Sequence, residues 1–375
     1  MNRKLLCCLI FVLLVLSFTT HSDSGGEDHP AGMEGWIESQ IHNLHIIWLF
    51  LIIAVTLYLL GKGADMLVEE AVILSVQWGV PKTLIGATIV SLGTTTPEAA
   101  VSVLAAIQGD PDIALGNAVG SIICDTGLIL GTAALIAPLP LNRAIVNRQG
   151  WLQLGAGFLL VISCLPFGSL DKIGSEGGRL PRAVGFVCLG LLAAYLWQSI
   201  RWSRNSDSSV DEELESHVGT GNPFVVLMKL VLGIVLVVAS SWILIPTVKV
   251  VAERMHVPKS IIAATLVAFG TSLPELVTAV TAARKGHGEL AVGNIIGADI
   301  LNVLFVAGAS AAVTSGGLVA PPHFFRMYFP IMLFILIVFR VGIFVSGDQL
   351  KRPFGFVLIG AYIVVTLLSY IVRGG

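Results

Sequence analysis

The sequence predicts an all-α polytopic membrane protein of ten transmembrane helices, arranged as two inverted five-helix repeats with a broken helix in each. Three observations predict this class. Hydrophobic residues make up 55% of the 375 residues and charged residues only 12%, whereas a soluble domain carries about 25% charged residues. Apolar segments of about 20 residues, the length that spans a bilayer, follow one another with short loops between them. Two of these segments carry the same motif, "GTTTPE" at residues 93–98 and "GTSLPE" at residues 270–275.

The composition also excludes several functional classes. The net charge of −2 offers no basic surface for nucleic acid. The five cysteines are scattered without metal-ligand spacing, so we expect small buried side chains and no disulfide framework. The sequence has no H-E-x-x-H motif, Gly-rich phosphate loop or Ser-His-Asp pattern, and it lacks the G-x-G-D motif of an intramembrane aspartyl protease. We therefore expect no enzyme activity and no cofactor.

The first thirty residues form a separate segment. The positively charged "MNRK" precedes the apolar run "LLCCLIFVLLVLSF" and then a polar stretch, a pattern typical of a secretory signal peptide. We assign residues 1–30 to a signal peptide or leader, and a retained anchor helix is the alternative.

Ten candidate spans follow the leader. They lie near residues 45–75, 81–107, 113–137, 150–167, 182–201, 223–254, 258–283, 289–314, 324–345 and 353–372. The acidic, Ser-rich segment 202–222 is interpreted as a solvated linker between a first half at residues 45–201 and a second half at residues 223–375. A cytoplasmic linker gives the inside loops more Lys and Arg than the outside loops, as the positive-inside rule requires.

The second half of the chain repeats the first. A shift of 177 residues aligns residues 80–131 with residues 257–308 without a gap, and it keeps a proline, a glutamate, an asparagine and five glycines in register. Five spans separate equivalent helices, and because five is odd the second copy enters the membrane from the opposite side. The repeats are therefore inverted, and we expect Glu98 and Glu275 to meet near the bilayer centre.

The paired motifs carry the residue types of a cation site. Pro97 and Pro274 each remove a backbone N–H and break the helix, which frees carbonyl oxygens at membrane depth. Two facing carboxylates repel each other unless a cation lies between them, and a hard divalent ion takes six to eight oxygen ligands. We predict that the ion is held by Glu98, Glu275, Thr94, Thr95, Thr271 and Ser272.

A second motif in each repeat adds polar groups at matching positions. The segments "GNAVGSIICD" and "GNIIGADILN" have Gly every three or four residues, which indicates a helix face for close packing. Asp125 in the first copy corresponds to Asn302 in the second, and both are predicted site residues. Ser121 is a further candidate, although its counterpart is Ala298.

Other polar residues in the spans are expected to be structural. Asn117 and Asn294 begin the two glycine-rich faces and fit helix packing better than ion binding. Asp299 is expected to pair with a backbone group or an arginine. The acids of "GKGADMLVEE" are expected to pair with Lys62 or to line an entrance to the site; they are Asp65, Glu69 and Glu70.

The paired motifs resemble those of the cation/calcium exchanger superfamily, and within it those of the bacterial sodium/calcium antiporters. The resemblance rests on "GATIVSLGTTTPE" with "GNAVGSIICD" and on "AATLVAFGTSLPE" with "GNIIGADILN". It implies four central ion sites, and alternating access in which the first and sixth helices slide over a fixed core. By this resemblance Glu98 and Glu275 hold calcium and contribute to the sodium sites, and Ser121, Asp125 and Asn302 complete the set.

The chain differs from those exchangers in one respect. In them the amide lies in the first copy and the acid in the second, whereas Asp125 lies in the first copy of this chain and Asn302 in the second. The number of acids is unchanged, so we expect the predicted site to carry the same net charge as in those exchangers. Ala298 in place of a serine removes one hydroxyl from a sodium site.

These observations predict a secondary antiporter that exchanges calcium for sodium across a bacterial inner membrane. We expect a monomer whose partners are calcium, sodium and the lipid bilayer. The alternative is a proton/calcium exchanger of the same fold, with Asp125 as the proton carrier, or a potassium-dependent sodium/calcium exchanger. A membrane enzyme with paired acids is the rival from another class, and this chain lacks the motif named above. A passive cation channel is a third rival, which strict antiport without conductance would exclude.

Overall fold

The structure, a computed structural model, describes residues 33–108, 111–168, 170–204, 222–255 and 271–373. This part of the chain is almost entirely helical. In chain order its helices are α1 (Met33–Ile41), α2 (Ile46–Trp78), α3 (Lys82–Thr94), α4 (Thr96–Gln108), α5 (Pro111–Ile123, Cys124–Ile129 and Leu130–Ile136), α6 (Arg143–Cys164), α7 (Arg182–Arg204), α8 (Pro223–Arg254), α9 (Leu273–Arg284), α10 (Gly288–Val313), α11 (Phe324–Ser346) and α12 (Arg352–Arg373). The predicted leader and most of the predicted linker lie outside the described residues.

By length and composition, six of the described helices are able to cross a membrane, or seven if the bent pair of α3 and α4 is one span. The six are α2, α5, α7, α8, α10 and α11. Helix α6 begins at Arg143, before the predicted start at residue 150, because the Asn142 side chain accepts a hydrogen bond from the backbone N–H of Ile145 and caps the helix. The predicted span at 258–283 is described only from residue 271. The count of ten spans therefore stays a prediction.

Helix α10 lies at the centre of the bundle and is buried at every residue from Leu290 to Leu301. It crosses α3 where both helices carry glycine. An added Cβ at Gly86 would lie 2.6 Å from the carbonyl oxygen of Leu290, and one at Gly293 only 2.2 Å from that of Thr83. The two backbones therefore touch, as the glycine-rich face predicts, and close approach of small residues is how membrane helices gain packing energy.

The two longest helices, α2 and α8, pack closely against each other. Gly63 of α2 and Gly233 of α8 lie at their crossing, since an added Cβ at either glycine would come within 2.8 Å of the other helix. Helix α2 also contacts α9, and α8 contacts the end of α3. The pair of α2 and α8 therefore forms a layer beside the helices that carry the repeated motifs.

Two short strand pairs join the two halves of the chain. Strand β1 (Leu139–Pro140), which follows α5, pairs antiparallel with β4 (Gln349–Leu350), which precedes α12. Strand β2 (Gly178–Leu180), which precedes α7, pairs antiparallel with β3 (Leu318–Ala320), which follows α10. Each half thus gives one strand to each pair. The hydrophobic pattern did not predict these strands, because segments of two or three residues have no readable alternation.

The short helix α1 is fastened to the end of α8. Ile37 and Ile41 are buried against a small apolar cluster that includes residues 250 and 251 of α8. The Lys249 ammonium lies 2.9 Å from the Glu38 carboxylate, and Arg254 donates a hydrogen bond to the backbone after α1, at the carbonyl of Leu44. Helix α1 therefore ties the start of α2 to the end of α8, an arrangement that the sequence did not predict.

Replacing Gly293 by alanine should destabilise the protein, because the new Cβ would overlap the carbonyl oxygen of Thr83. Overpacking of this kind typically costs about 1–3 kcal/mol, which would lower the melting temperature of the purified protein in detergent. Gly155→Ala is the matched control, because an added Cβ there meets no atom within 4 Å. Equal melting temperatures for the two variants would contradict the close contact between α3 and α10.

Candidate cation site between the two repeats

The two predicted acids follow equivalent backbone breaks. Helices α3 and α4 meet at an angle of 44°, and Thr95 at the break has φ −83° and ψ −2°. Ser272, directly before α9, has nearly the same angles, φ −85° and ψ 10°. Glu98 and Glu275 then lie in the first turns of α4 and α9, and each is only 1% exposed. Both carboxylates are thus buried at the positive end of a helix dipole, which favours their charged form.

Hydrogen bonds cross between the two repeats in a matched pair. The Thr94 hydroxyl donates to the side-chain oxygen of Asn294 at 3.4 Å, and the equivalent Thr271 donates to Asn117 at 3.1 Å. The Asn117 amide also donates to the backbone carbonyl of Glu98 at 3.3 Å. Each asparagine therefore holds the broken segment of the opposite repeat, which fits the structural role expected from the sequence.

Several buried oxygens near the breaks have no hydrogen-bond partner in the described ranges. Thr95 donates to one carboxylate oxygen of Glu275 at 3.3 Å, but the other oxygen of Glu275 and both oxygens of Glu98 accept no bond there. The same is true of one side-chain oxygen each in Ser272, Asp125 and Asn302. Buried polar atoms without partners are rare because they cost free energy. Carboxylate, amide and hydroxyl oxygens are the ligands of hard cations, so this set fits calcium or sodium.

Acidic side chains alone do not form a metal site in the part of the chain that the structure describes. No group of three His, Cys, Asp or Glu residues there is arranged to hold a metal ion. A cation between the repeats would therefore also need neutral oxygens. The hydroxyl and amide groups described above supply oxygens of this kind, which is the mixture of ligands that the sequence predicts.

Asp125 and Asn302 face each other across the repeat boundary. The Asn302 amide donates to a carboxylate oxygen of Asp125 at 3.5 Å, and the two residues are 1% and 0% exposed. Each lies in a π-helical turn, Cys124–Ile129 in α5 and Asn302–Ala307 in α10. Wider turns of this kind often occur at functional sites, because they redirect side chains and leave backbone groups free. The structure thus brings together the acid and the amide that the sequence aligned.

Ser121 is the candidate with the weakest connection to the others. It lies on α5 one helical turn before Asp125 and is only 4% exposed. No hydrogen bond between described residues joins it to the other predicted site residues. The structure therefore places Ser121 on the same buried face as Asp125, and it gives no further contact to support a role in the site.

A fourth buried acid, Asp299 of α10, has partners that the sequence did not predict. Thr126 of α5 and Gln153 of α6 both donate to the same carboxylate oxygen, Gln153 at a distance of 2.5 Å. The expected backbone or arginine partner is therefore wrong. Gln149 and Gln153 are both buried, four residues apart on one face of α6. The sequence signal for this network, which the sequence analysis did not use, is the amide Gln153 inside an apolar span.

The acids of α2 form ion pairs with residues far along the chain. Lys285, directly after α9, lies 3.0 Å from Asp65 and 2.6 Å from Glu69, and Lys229 of α8 lies 3.1 Å from Glu70. The expected pairing with Lys62 is therefore wrong. The physical reason is that the packing of α2 against α8 and α9, which local sequence cannot show, brings these lysines to the acidic face of α2.

Comparison with known families and proteins gives consistent matches over most of the chain. The family described as "Sodium/calcium exchanger protein" matches residues 48–201 and 225–371. The inner membrane protein YrbG of Escherichia coli strain K12 is 32% identical over 324 residues, which cover 85% of this chain and 96% of YrbG. The sodium/calcium exchanger MaX1 of Methanosarcina acetivorans is 31% identical over 354 residues, which cover 86% of this chain and 99% of MaX1.

A solved structure also matches the fold. The sodium-calcium exchanger NCX_Mj aligns with this chain at a TM-score of 0.70 and 26% sequence identity, and the match covers 85% of this chain and 98% of NCX_Mj.

Proposed function

Because this chain belongs to the sodium/calcium exchanger family, we propose that it is a secondary antiporter that exchanges calcium for sodium across a bacterial inner membrane by alternating access. The observation that carries the proposal is the set of buried oxygens without hydrogen-bond partners at the two backbone breaks. The matched relative MaX1 is named an exchanger, and no enzyme activity is part of the proposal.

The proposed architecture has ten transmembrane helices in two inverted halves, residues 45–201 and 223–375. Four pairs of equivalent features support it: the breaks before Glu98 and Glu275, the π-helical turns of α5 and α10, the crossed Thr–Asn bonds, and the strand pairs shared between the halves. The family match in two segments of similar length agrees with a duplication. An odd number of spans in each half makes the repeats inverted.

Calcium and sodium are the proposed substrates of one shared site. Glu98 and Glu275 provide charge from both repeats, and Asp125 adds a third acid that Asn302 orients. Neutral oxygens are proposed from Thr94, Thr95, Thr271, Ser272 and Ser121. Three buried negative charges attract either a calcium ion or several sodium ions. Since the ions compete for the same oxygens, calcium leaves when sodium binds, and a sodium gradient can move calcium against its own gradient.

The proposed motion is a displacement of the pair α2 and α8 against the core. These two helices pack on each other through Gly63 and Gly233, so they are able to move as one layer. The Lys229–Glu70 ion pair lies inside this layer, whereas Lys285 joins α2 to the end of α9 in the core. Movement of the layer would therefore preserve the first ion pair and rearrange the second.

Proton coupling is the second candidate function, and Asp299 favours it. This acid is buried and accepts hydrogen bonds only from the neutral groups of Thr126 and Gln153 among the described residues. A buried carboxyl with neutral partners is able to take up a proton. Asp125, the proton carrier suggested by the sequence, is the other acid on which this alternative rests.

Calcium uptake into proteoliposomes distinguishes the two functions. The purified full chain is reconstituted with internal sodium, and uptake of radioactive calcium is started by dilution into sodium-free medium. We expect uptake that requires internal sodium and persists when a protonophore removes the pH gradient. Liposomes without protein are the control. Uptake driven by a pH gradient alone, without sodium, would instead establish proton coupling.

Glu98→Gln and Glu275→Gln should each reduce this uptake to the level of protein-free liposomes. Each change removes one of the two charges that balance the ion while leaving a side chain of almost the same shape. Size-exclusion chromatography and thermal unfolding would check that the variants remain folded. Glu176→Gln is the matched control, because this glutamate is 65% exposed and pairs with Lys172 in the connection between α6 and α7. Full exchange by either core variant would refute the site.

Asp125→Asn should weaken sodium-driven exchange about tenfold or more, a change that corresponds to about 1.4 kcal/mol or more, because one acid is lost. Adding Asn302→Asp to the same protein should restore activity, since the pair then again has one acid and one amide in contact. Initial rates at several sodium concentrations would measure both effects. An Asp125→Asn protein that matches the wild type, or a double variant with no recovery, would contradict the proposed role of the pair.

A further inference from the structure

Arg340 is a charged residue inside the apolar span α11, and the proposed exchange does not use it. The residue is only 5% exposed, and its three guanidinium nitrogens have no hydrogen-bond acceptor in the described part of the chain. It also belongs to none of the ion pairs there. An unpaired charge at membrane depth is costly, and such residues normally have an anionic or carbonyl partner. The described residues therefore leave the hydrogen-bonding capacity of the Arg340 guanidinium unfilled.

The surroundings of Arg340 are shaped to receive a guanidinium group. Its central carbon lies 4.5 Å from the ring centre of Trp151 on α6 and 4.6 Å from that of Phe344 on its own helix. The position opposite is Gly150, where an added Cβ would lie 2.8 Å from an Arg340 nitrogen. Two aromatic faces and a glycine thus hold the charge in a fixed place between α6 and α11.

Only a thin layer separates Arg340 from the outer surface of the bundle. Trp151 is 56% exposed and Phe344 is 58% exposed, so the two rings that cover the guanidinium face outward. In a membrane protein this outward surface is in contact with lipid. Cation–π contacts offset part of the cost of the charge, but aromatic rings leave the five N–H donors of an arginine unfilled. Among the described residues the guanidinium therefore lacks an acceptor, and the rings that cover it face the lipid.

The charges at this end of the bundle favour an anionic lipid. Arg340 lies six residues before the end of α11 at Ser346, which is about 9 Å along the helix axis. Lys351 and Arg352 follow the nearby strand β4. A nearby acid, Asp348, is 88% exposed and is already paired with Arg143 at 2.9 Å. Basic sites between helices near the end of a span are able to bind lipid headgroups.

We propose that Arg340, held between Trp151 and Phe344, binds the phosphate of an anionic phospholipid headgroup. The guanidinium group would donate its free N–H groups to phosphate oxygens, in the forked geometry that suits this anion. The rings of Trp151 and Phe344 would contact the part of the lipid acyl chains that lies next to the headgroup. The same helix α6 carries Gln153, which bonds Asp299 near the candidate cation site. Helix α6 would therefore be fixed at two points, by the lipid beside Trp151 and by the bond from Gln153 to Asp299.

Lipid-dependent thermal unfolding of the full chain in detergent tests this site. Phosphatidylglycerol should raise the melting temperature of the wild type more than phosphatidylcholine does. In Arg340→Gln the two lipids should act equally. Arg143→Gln is the matched control, since it removes an arginine at the same end whose partner is known, and it should keep the preference for phosphatidylglycerol. An undiminished preference in Arg340→Gln would overturn the proposal.

A second variant covers the case in which Arg340→Gln does not fold. Gly150→Ala keeps the charge but places a methyl group against the guanidinium, and it should weaken phosphatidylglycerol binding about tenfold when retained lipid is counted by native mass spectrometry. Inorganic phosphate serves as the soluble probe. A wild-type protein that responds equally to phosphate, or that retains no more phosphatidylglycerol than phosphatidylcholine, would show that no lipid headgroup site exists there.

Discussion

Two glutamates buried at the breaks of two helices set the conditions for the rest of this structure. A carboxylate that leaves water loses its hydration, and at membrane depth it needs compensation from charges or hydrogen bonds. None of the six ion pairs in the described ranges involves Glu98, Glu275 or Asp125. The four lysines and one arginine in these ion pairs contact acids outside this centre. Among the described residues, the central acids are compensated only by helix dipoles and neutral donors, which would leave their charge available to the cation of the proposed exchange.

A broken helix at membrane depth loses backbone hydrogen bonds, and the surrounding packing has to hold the break in one conformation. The crossed bonds of Thr94 with Asn294 and of Thr271 with Asn117 fasten each break to the opposite repeat. The close contact of α3 and α10 at Gly86 and Gly293 lies directly beside the Thr94–Asn294 bond. Rigid contacts around the breaks and a separate layer of α2 and α8 would suit the proposed alternating access, because the proposed ligands could stay in place while access to them changes.

The sequence predicted those features that are repeated in it, and it missed those that depend on packing between distant segments. The break at Thr95, the equivalent angles at Ser272 and the facing of Asp125 and Asn302 all followed from one gapless alignment of the chain with itself. The predicted partners of Asp299 and of Asp65 were wrong, because the residues that contact these acids, on α6 and directly after α9, come near them only through tertiary packing. The strand pairs and the fastening of α1 to α8 rest on a few residues each, too short for periodicity to predict.

Several differences between the two repeats lie at or next to the candidate site. Asn117 donates to Ser102 at 2.9 Å, but the equivalent of Ser102 is Ala279, and the Asn294 amide nitrogen has no partner in the described chain. The acid of the facing pair is in the first repeat, whereas the extra acid Asp299 is in the second. Two identical inverted repeats would give the inward-open and outward-open states equal free energies. Each of these differences would remove that equality, so the polar residues of the proposed cation site would also bias which side of the membrane the empty protein faces more often.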